Sequence, residues 1–226
     1  MRPEPALLLE AWGTLVGLDL ASVPQVMIAR PLVAGTVAGA ILGDVGTGLR
    51  LGMLFELLQL DILPLGAARY PEYGPATVAG VAAAHAAAGA LGVGLGVVVG
   101  MFTGLVGGIS VHWALRPLNT RAVRRATAGL EAGDPDTIVR VHATALGRDA
   151  LRGMLVTATG LVLAALVRTY MVGTLTARGA IVVAAAATGA AIAAGSNGTL
   201  NLVGRRVNFA WLVAGVVLGT LGAWLR

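Results

Sequence analysis

A carboxylate stands in the middle of an apolar stretch in the first third of the chain. Glu56 has mainly apolar neighbours on both sides, with Gln59 following three residues later. If this stretch is a helix, Gly48, Gly52 and Glu56 share one face, and Gln59 lies one turn beyond Glu56. The small residues leave a narrow slot, in which the carboxylate and the amide can make paired hydrogen bonds with a neutral, polyhydroxylated ligand.

Arginines near this stretch offer Glu56 a purely structural role. An ion pair with Arg30 or Arg50 is the alternative to ligand binding. Arg30 also belongs to a polar group with Asp19 and Gln25, around a segment bracketed by two prolines, so we expect the chain to turn there. Alternatively, Asp19 is simply a charge at a helix end.

The segment 63–75 contains three prolines and two glycines, so we predict that it does not form a helix. Free backbone groups at membrane depth are tolerated only against protein or a water-lined cavity. In such a place Gly66 and Ala67 would offer backbone donors, and Glu72 would add a second carboxylate. An ordinary surface loop is the alternative.

The composition indicates a membrane protein. Of the 226 residues, 57% are hydrophobic and 12% are charged, whereas an ordinary soluble domain has about 25% charged residues. We therefore predict an all-α, polytopic membrane protein. The sparse charge excludes a nucleic-acid binder built on a dense basic patch. Because the chain has no Cys and no familiar catalytic motif, we predict no catalytic residue, no metal site and no cofactor.

The apolar stretches predict several membrane crossings, some of them interrupted. The stretch 73–115 is too long for one crossing, so we expect a break near Gly89. Three later stretches fit one crossing each: 153–167, 179–204 and 207–225. In the first third the stretches are short or carry charges, which favours broken or re-entrant helices lining a polar site over ordinary helices with exposed ends. These stretches are 5–29, 31–43 and 45–65.

Residues 116–152 form a long polar segment rich in Arg. The positive-inside rule places this segment in the cytoplasm, and alternating crossings then put nine Arg inside and three outside. Asp134 followed by Pro135 predicts a helix start. We expect amphipathic helices at the membrane surface or on a partner, with a solvated connector as the alternative. Three regions result: a membrane region with broken helices and the polar site, the basic loop, and C-terminal transmembrane helices, at 1–115, 116–152 and 153–226.

Glycines recur at intervals of four residues in two places. This spacing puts them on one helix face, where a neighbouring backbone can approach closely. We expect either plain tight packing or a surface on which helices slide. The two runs are Gly35, Gly39 and Gly43, and Gly92, Gly96, Gly100, Gly104 and Gly108.

Several short motifs resemble those of one transporter family. They are Ala29–Thr36, Ile41–Asp44, Thr47–Gly48, Leu54–Leu57, Leu65–Ala68 and Pro71–Glu72. On these residues the chain resembles the IIC subunit of the mannose/fructose/sorbose family of the bacterial phosphoenolpyruvate-dependent phosphotransferase system. The resemblance continues weakly at 132–134 and 139–142 and covers nearly the whole chain.

The resemblance implies a sugar-translocating subunit of the bacterial cytoplasmic (inner) membrane that crosses the bilayer several times. It implies import of a hexose, coupled to phosphorylation by partners: a second membrane subunit, IID, and the cytosolic phosphocarriers IIA and IIB. The chain would not be catalytic alone. We also expect a homo-oligomer and no nucleic-acid partner. By position, the sugar site of the family would include Gln25, Glu56, Gly66, Ala67 and Glu72.

Two functions of other classes compete with this implication. The first is an orphan membrane scaffold or regulator that transports nothing and uses residues 116–152 to recruit a cytosolic partner. The second is a small-solute carrier that works without phosphoenolpyruvate.

Overall fold

The computed structural model describes residues 3–23, 25–60, 70–85, 87, 89–174 and 176–200. Within these residues all regular structure is helical, which confirms the predicted all-α class. The α-helices are α1 (Pro3–Ala21), α2 (Pro31–Leu42), α3 (Val45–Leu60), α4 (Tyr73–Ala84), α5 (Gly89–Ser110), α6 (Arg116–Arg125), α7 (Thr127–Glu131), α8 (Pro135–Tyr170) and α9 (Ala177–Leu200), and a short π-helix (Val111–Leu115) joins α5 to α6.

Helices α2 and α3 form a tight hairpin, and the local sequence determines where each helix begins and ends. Pro31 occupies the first turn of α2, where its missing N–H costs nothing. Gly43 ends α2 in the left-handed region, with φ of 72°, which glycine adopts without strain. Asp44 then accepts a hydrogen bond from the Thr47 amide at 3.1 Å and thereby caps the start of α3.

Glycines allow α2 and α3 to touch backbone to backbone. A Cβ added to Gly48 would overlap the carbonyl oxygen of Gly35 and lie 2.9 Å from the Cα of Gly39. A Cβ added to Gly52 would lie 2.9 Å from the carbonyl oxygen of Pro31. The predicted close packing is therefore confirmed for Gly35 and Gly39, whereas Gly43 ends the helix and has open space around it.

Helix α4 is the centre of the fold. It begins at Tyr73, so the prediction of no helix over 63–75 is wrong for the last three residues, because a proline is tolerated in the first turn of a helix. All 12 residues of α4 are buried, and most have small side chains. It packs against α1, α2, α3, α5 and α8. The predicted break before the following span is confirmed, because α4 ends at Ala84 and α5 begins at Gly89 with φ of 63°.

The five-glycine run of α5 faces α4, as its spacing predicts. Gly96 approaches the backbone of Gly80, and the other members approach the backbone or side chains of α4 and of its flanking residues. This is a packing surface: methyl groups added at Gly92, Gly96, Gly100 or Gly108 would overlap with backbone atoms, which cannot move aside, and one at Gly104 would be in tight contact.

Helix α8 begins as predicted and then runs further than expected. Asp134 is the N-cap, and its side chain accepts a hydrogen bond from the Thr137 amide at 3.1 Å. Hydrogen bonds from Thr137 hold the pKa of the Asp134 carboxyl below its usual range. The helix continues for 36 residues to Tyr170, so it crosses the expected boundary at residue 152. Residues 135–152 of the basic segment and the apolar span after them are one helix.

Two helices of the described residues are long and apolar enough to cross a membrane: Gly89–Arg125, which joins α5, the π-helix and α6, and Pro135–Tyr170. Helix α9 contacts α3 and α5. The predicted crossing at 207–225 lies outside the described residues. Re-entrant segments in the first third remain a prediction. Helices α2 and α4 agree with it, because 12 residues each extend about 18 Å, less than the hydrocarbon core of about 30 Å.

The contact between α2 and α3 yields a prediction with a control on the same helix. Gly48→Ala should lower the free energy of unfolding by about 1–3 kcal/mol, because the added methyl group overlaps with backbone atoms of α2. Gly46→Ala should be neutral or slightly stabilising, since a Cβ there meets only a side-chain oxygen of Asp44 at 3.9 Å. Thermal unfolding in detergent measures both variants. Equal melting temperatures would show that α2 and α3 can move apart without loss of stability.

Candidate functional site

The turn between α1 and α2 is organised by Asp19, which is buried. Its two carboxylate oxygens accept hydrogen bonds from the amides of Val26 at 2.7 Å and Ala29 at 2.9 Å. Gln25 and Met27 lie in the left-handed region, with φ of 58° and 69°. Non-glycine residues adopt this conformation rarely, and it often marks binding sites. The side chain of Gln25 is exposed.

Glu56 lies on the face of α3 that packs against α2, as the spacing predicts. One carboxylate oxygen, Oε2, accepts a hydrogen bond from the Leu32 amide at 3.1 Å. The other, Oε1, forms an ion pair with the guanidinium of Arg30. Of the two arginines considered as partners, Arg30 is the one observed. The Glu56 side chain is 17% exposed and that of Arg30 is 41% exposed, so this pair borders solvent. Gln59, one turn further, has a buried amide oxygen with no hydrogen-bond partner among the described residues.

Glu72 belongs to a buried ionic cluster. Its Oε2 accepts a hydrogen bond at 2.7 Å from Nη1 of Arg152, and both residues are nearly inaccessible to solvent, at 1% and 7% exposure. Arg152 also donates from Nε to Asp149 at 3.0 Å. Its Nη2 lies 2.9 Å from the same Asp149 oxygen, but without the alignment of a hydrogen bond. Two buried carboxylates therefore share one guanidinium.

Two serines and a glycine complete the cluster. Ser22, just after α1, donates its hydroxyl to the second oxygen of Asp149. Ser110, at the end of α5, accepts from Arg152 at 3.3 Å. Gly107 leaves room for Glu72, because a Cβ there would lie 2.5 Å from its Oε2. Within the described residues, Oε1 of Glu72 has no hydrogen-bond partner.

Residues next to Glu56 contact residues next to Glu72. The rings of Phe55 and Tyr73 lie 6.0 Å apart between centroids. Gly74 packs closely on Ala29, which a Cβ would approach to 2.9 Å. The structure thus brings the middle of α3, the start of α4 and the turn before α2 together, although the two carboxylates have different partners. The predicted site residues Gly66 and Ala67 lie outside the described residues.

Comparison with known proteins identifies the family of this chain. The family model described as the sorbose-specific IIC component of the phosphotransferase system matches residues 5–221. The chain belongs to this IIC family. The fructose permease IIC component of Bacillus subtilis is 31% identical over 128 residues, which cover 57% of this chain and 46% of that protein. The sorbose-specific EIIC component of Klebsiella pneumoniae is 47% identical over 49 residues, which cover 22% of this chain and 18% of that protein. The chain thus spans less than half the length of the curated relatives it matches.

Solved structures share the fold of this IIC chain. A structure titled "Structure of membrane protein" superposes with a TM-score of 0.69 at 19% identity, covering 100% of this chain and 95% of the other. The mannose transporter ManYZ, in complex with microcin E492, superposes with a TM-score of 0.60 at 18% identity, covering 100% of this chain and 94% of the matched one. At these identities the likeness concerns the fold, which is that of a membrane protein.

Sequence reasoning missed the partners of Glu72. Arg152 was counted among the cations of a cytoplasmic loop, whereas the IIC fold buries it. A signal was available: Asp149, Arg152, Gly153, Val156 and Gly160 follow one another at helical spacing and form the buried face of α8. An acid and an arginine one turn apart, in line with the apolar face of a long helix, indicate a buried pair.

Removing the shared cation should destabilise this IIC chain strongly. Arg152→Leu leaves Glu72 and Asp149 buried without a counter-charge, and such a loss costs about 3–5 kcal/mol. Arg140→Leu is the control, since Arg140 lies exposed on the same helix. Thermal unfolding in detergent should show a large drop for the first variant and little change for the second. Similar melting temperatures would mean that the cluster contributes nothing to stability.

Proposed function

We propose that this chain is the sugar-translocating membrane subunit of a mannose-type phosphotransferase system. It imports a hexose across the bacterial cytoplasmic membrane, which it crosses several times, while partner subunits phosphorylate the sugar. The family match over residues 5–221 carries the proposal. A fold shared with the mannose transporter ManYZ supports it, as do carboxylates beside apolar helices, where an ionisable residue usually has a function.

Glu56 is the residue we assign to direct sugar binding. Its Oε2 stays fixed by the Leu32 amide, while its Oε1 is held, among the described residues, only by Arg30, whose side chain is 41% exposed. When Arg30 turns toward solvent, Oε1 can accept a hydrogen bond from a sugar hydroxyl without any movement of α3. Charged acceptors make the stronger hydrogen bonds to hydroxyl groups, which suits a neutral ligand.

Glu72 is assigned to the same site on different grounds. Arg152 holds its Oε2 in place, whereas its Oε1 has no partner among the described residues. A buried acceptor without a partner costs free energy, and a sugar hydroxyl would remove that cost. Gln25, with its exposed side chain in a constrained turn, and the backbone of Gly66 and Ala67 complete the proposed set.

The proposed partners follow from the family. A second membrane subunit, IID, would complete the translocation path, and the soluble IIA and IIB proteins would carry the phosphoryl group. We further propose that the protein assembles as a homo-oligomer. The exposed arginines of α6, Arg121, Arg124 and Arg125, lie on the side that the positive-inside rule assigns to the cytoplasm.

A second candidate is a scaffold that transports no sugar. It is favoured by one observation: both carboxylates already have an arginine partner, Arg30 for Glu56 and Arg152 for Glu72. A site whose two carboxylate charges are already paired within the protein would have less affinity for hydroxyl groups.

Uptake in membrane vesicles separates these functions. Vesicles containing this chain with its IID, IIA and IIB partners should accumulate a sugar phosphate only when phosphoenolpyruvate is supplied. Free sugar that enters without the phosphate donor would identify an uncoupled carrier. With the protein correctly inserted, absence of uptake for every hexose would favour the scaffold.

The ion pair provides the matched control for the site. Glu56→Gln should reduce uptake by about tenfold or more, because a charge-assisted hydrogen bond to the sugar is lost. Arg30→Gln removes the same ion pair but leaves the carboxylate, so uptake should stay within about twofold of the wild type. Membrane insertion is checked for both variants by protease protection. Equal loss in both would assign Glu56 a structural role only.

A further inference from the structure

An apolar groove of about 300 Å³ lies between the α5–α6 segment and α8. On one side it is lined by Ala114, Leu115 and Leu118, and on the other by Leu151 and Leu155. Both leucines of α8 are more than half exposed, at 53% and 57%. The groove therefore offers a continuous apolar wall that the described residues leave uncovered.

The groove spans the depth at which the two long helices change from apolar to polar. Trp113, in the π-helix beside the groove, is 68% exposed, and exposed Trp residues concentrate at membrane–water interfaces. Arg148 of α8 donates to the backbone oxygen of Leu118 at 3.2 Å, which fixes both helices at the same level. On the apolar side of that level the groove is lined mainly by aliphatic side chains, with Ser110, Arg152 and Thr159 as its polar members. On the other side of that level the helices carry arginines.

Positive charge collects at the polar end. Arg148 lines the groove and forms no ion pair with the described residues; it donates only to Leu118 and to the Asn119 side chain, at 3.3 Å. Arg121 and Arg125 follow Leu118 at helical spacing, on the same face of α6. The adjacent acid, Asp149, is already bound by Arg152 and Ser22.

We propose that this groove binds an anionic phospholipid, with an acyl chain against the leucines and the phosphate at Arg148. An apolar channel that ends at interface depth at Arg148, which has no ion pair among the described residues, matches the two parts of such a lipid. A protein helix would cover the leucines but would not require the positive charge at one end. The assignment does not depend on sugar transport, because no residue assigned to the sugar contributes to the groove.

Native mass spectrometry of the full chain in detergent tests the proposal. With phosphatidylglycerol added, Arg148→Gln should weaken lipid retention about fivefold, the effect of one arginine near an anionic headgroup. Arg140→Gln, two turns away on the same helix and exposed, should leave retention within about twofold. Phosphatidylethanolamine should be retained weakly by all variants. Glycerol 3-phosphate, which has the headgroup charge without acyl chains, should not compete.

Arg148→Gln also removes the hydrogen bond between α8 and α6, so a second variant that keeps this contact is needed. Ala114→Phe places a ring in the groove and leaves every arginine unchanged, so phosphatidylglycerol retention should fall by a similar factor. Equal retention of both lipids, or unchanged retention in both groove variants, would overturn the proposal. Displacement of all lipid by the purified IID subunit would also overturn it, because the groove would then be a protein interface.

Discussion

The buried guanidinium of Arg152 connects the ends of three other helices to α8. It donates to Glu72 at the start of α4 and to Ser110 at the end of α5. It also pairs with Asp149, to which Ser22 donates from the end of α1. Removing such charges from water costs several kcal/mol per ion unless the geometry satisfies them. The cluster therefore stabilises one arrangement of these helix ends and penalises others, because any displacement leaves a buried charge without its partner.

Small residues allow the helices to pack closely enough for this ionic cluster to form. Every residue of α4 is buried, and its glycines and alanines allow α5 to approach until backbone meets backbone. The same closeness lets the amide of Glu72 donate to the carbonyl of Gly104 at 2.9 Å, while Gly107 leaves space for the Glu72 side chain. A larger residue at Gly104 or Gly107 would separate α4 from α5 and move Glu72 away from Arg152. The glycine spacing and the ionic cluster are thus parts of one constraint.

Local features could be predicted from the sequence, and long-range partners could not. The break at Gly89 and the cap at Asp134 depend on a few adjacent residues, whose conformational preferences are strong. The glycine face of α5 follows from helical periodicity alone. The ion pair of Glu72 with Arg152 joins residues 80 positions apart, and nothing in either local sequence selects that partner. For Glu56 the sequence left two arginines open, and the turn held by Asp19 decides between them by placing Arg30 directly before α2.

Arg148 and Arg152, one turn apart on α8, locate the buried cluster relative to the membrane surface. Arg148 lies at the level of Leu118 and Trp113, where the helices turn polar. Arg152 is one turn further, which places the cluster about 6 Å inside that level. The positive-inside rule predicts that this end of the span faces the cytoplasm. Glu72, at 1% exposure, therefore lies buried near the polar end of the span, whereas Glu56, paired with an Arg30 side chain that is 41% exposed, is the carboxylate that solvent reaches directly. If both bind the same sugar, Glu56 is the one that can release its partner without leaving a buried charge unpaired, because Arg30 can be hydrated and Arg152 cannot.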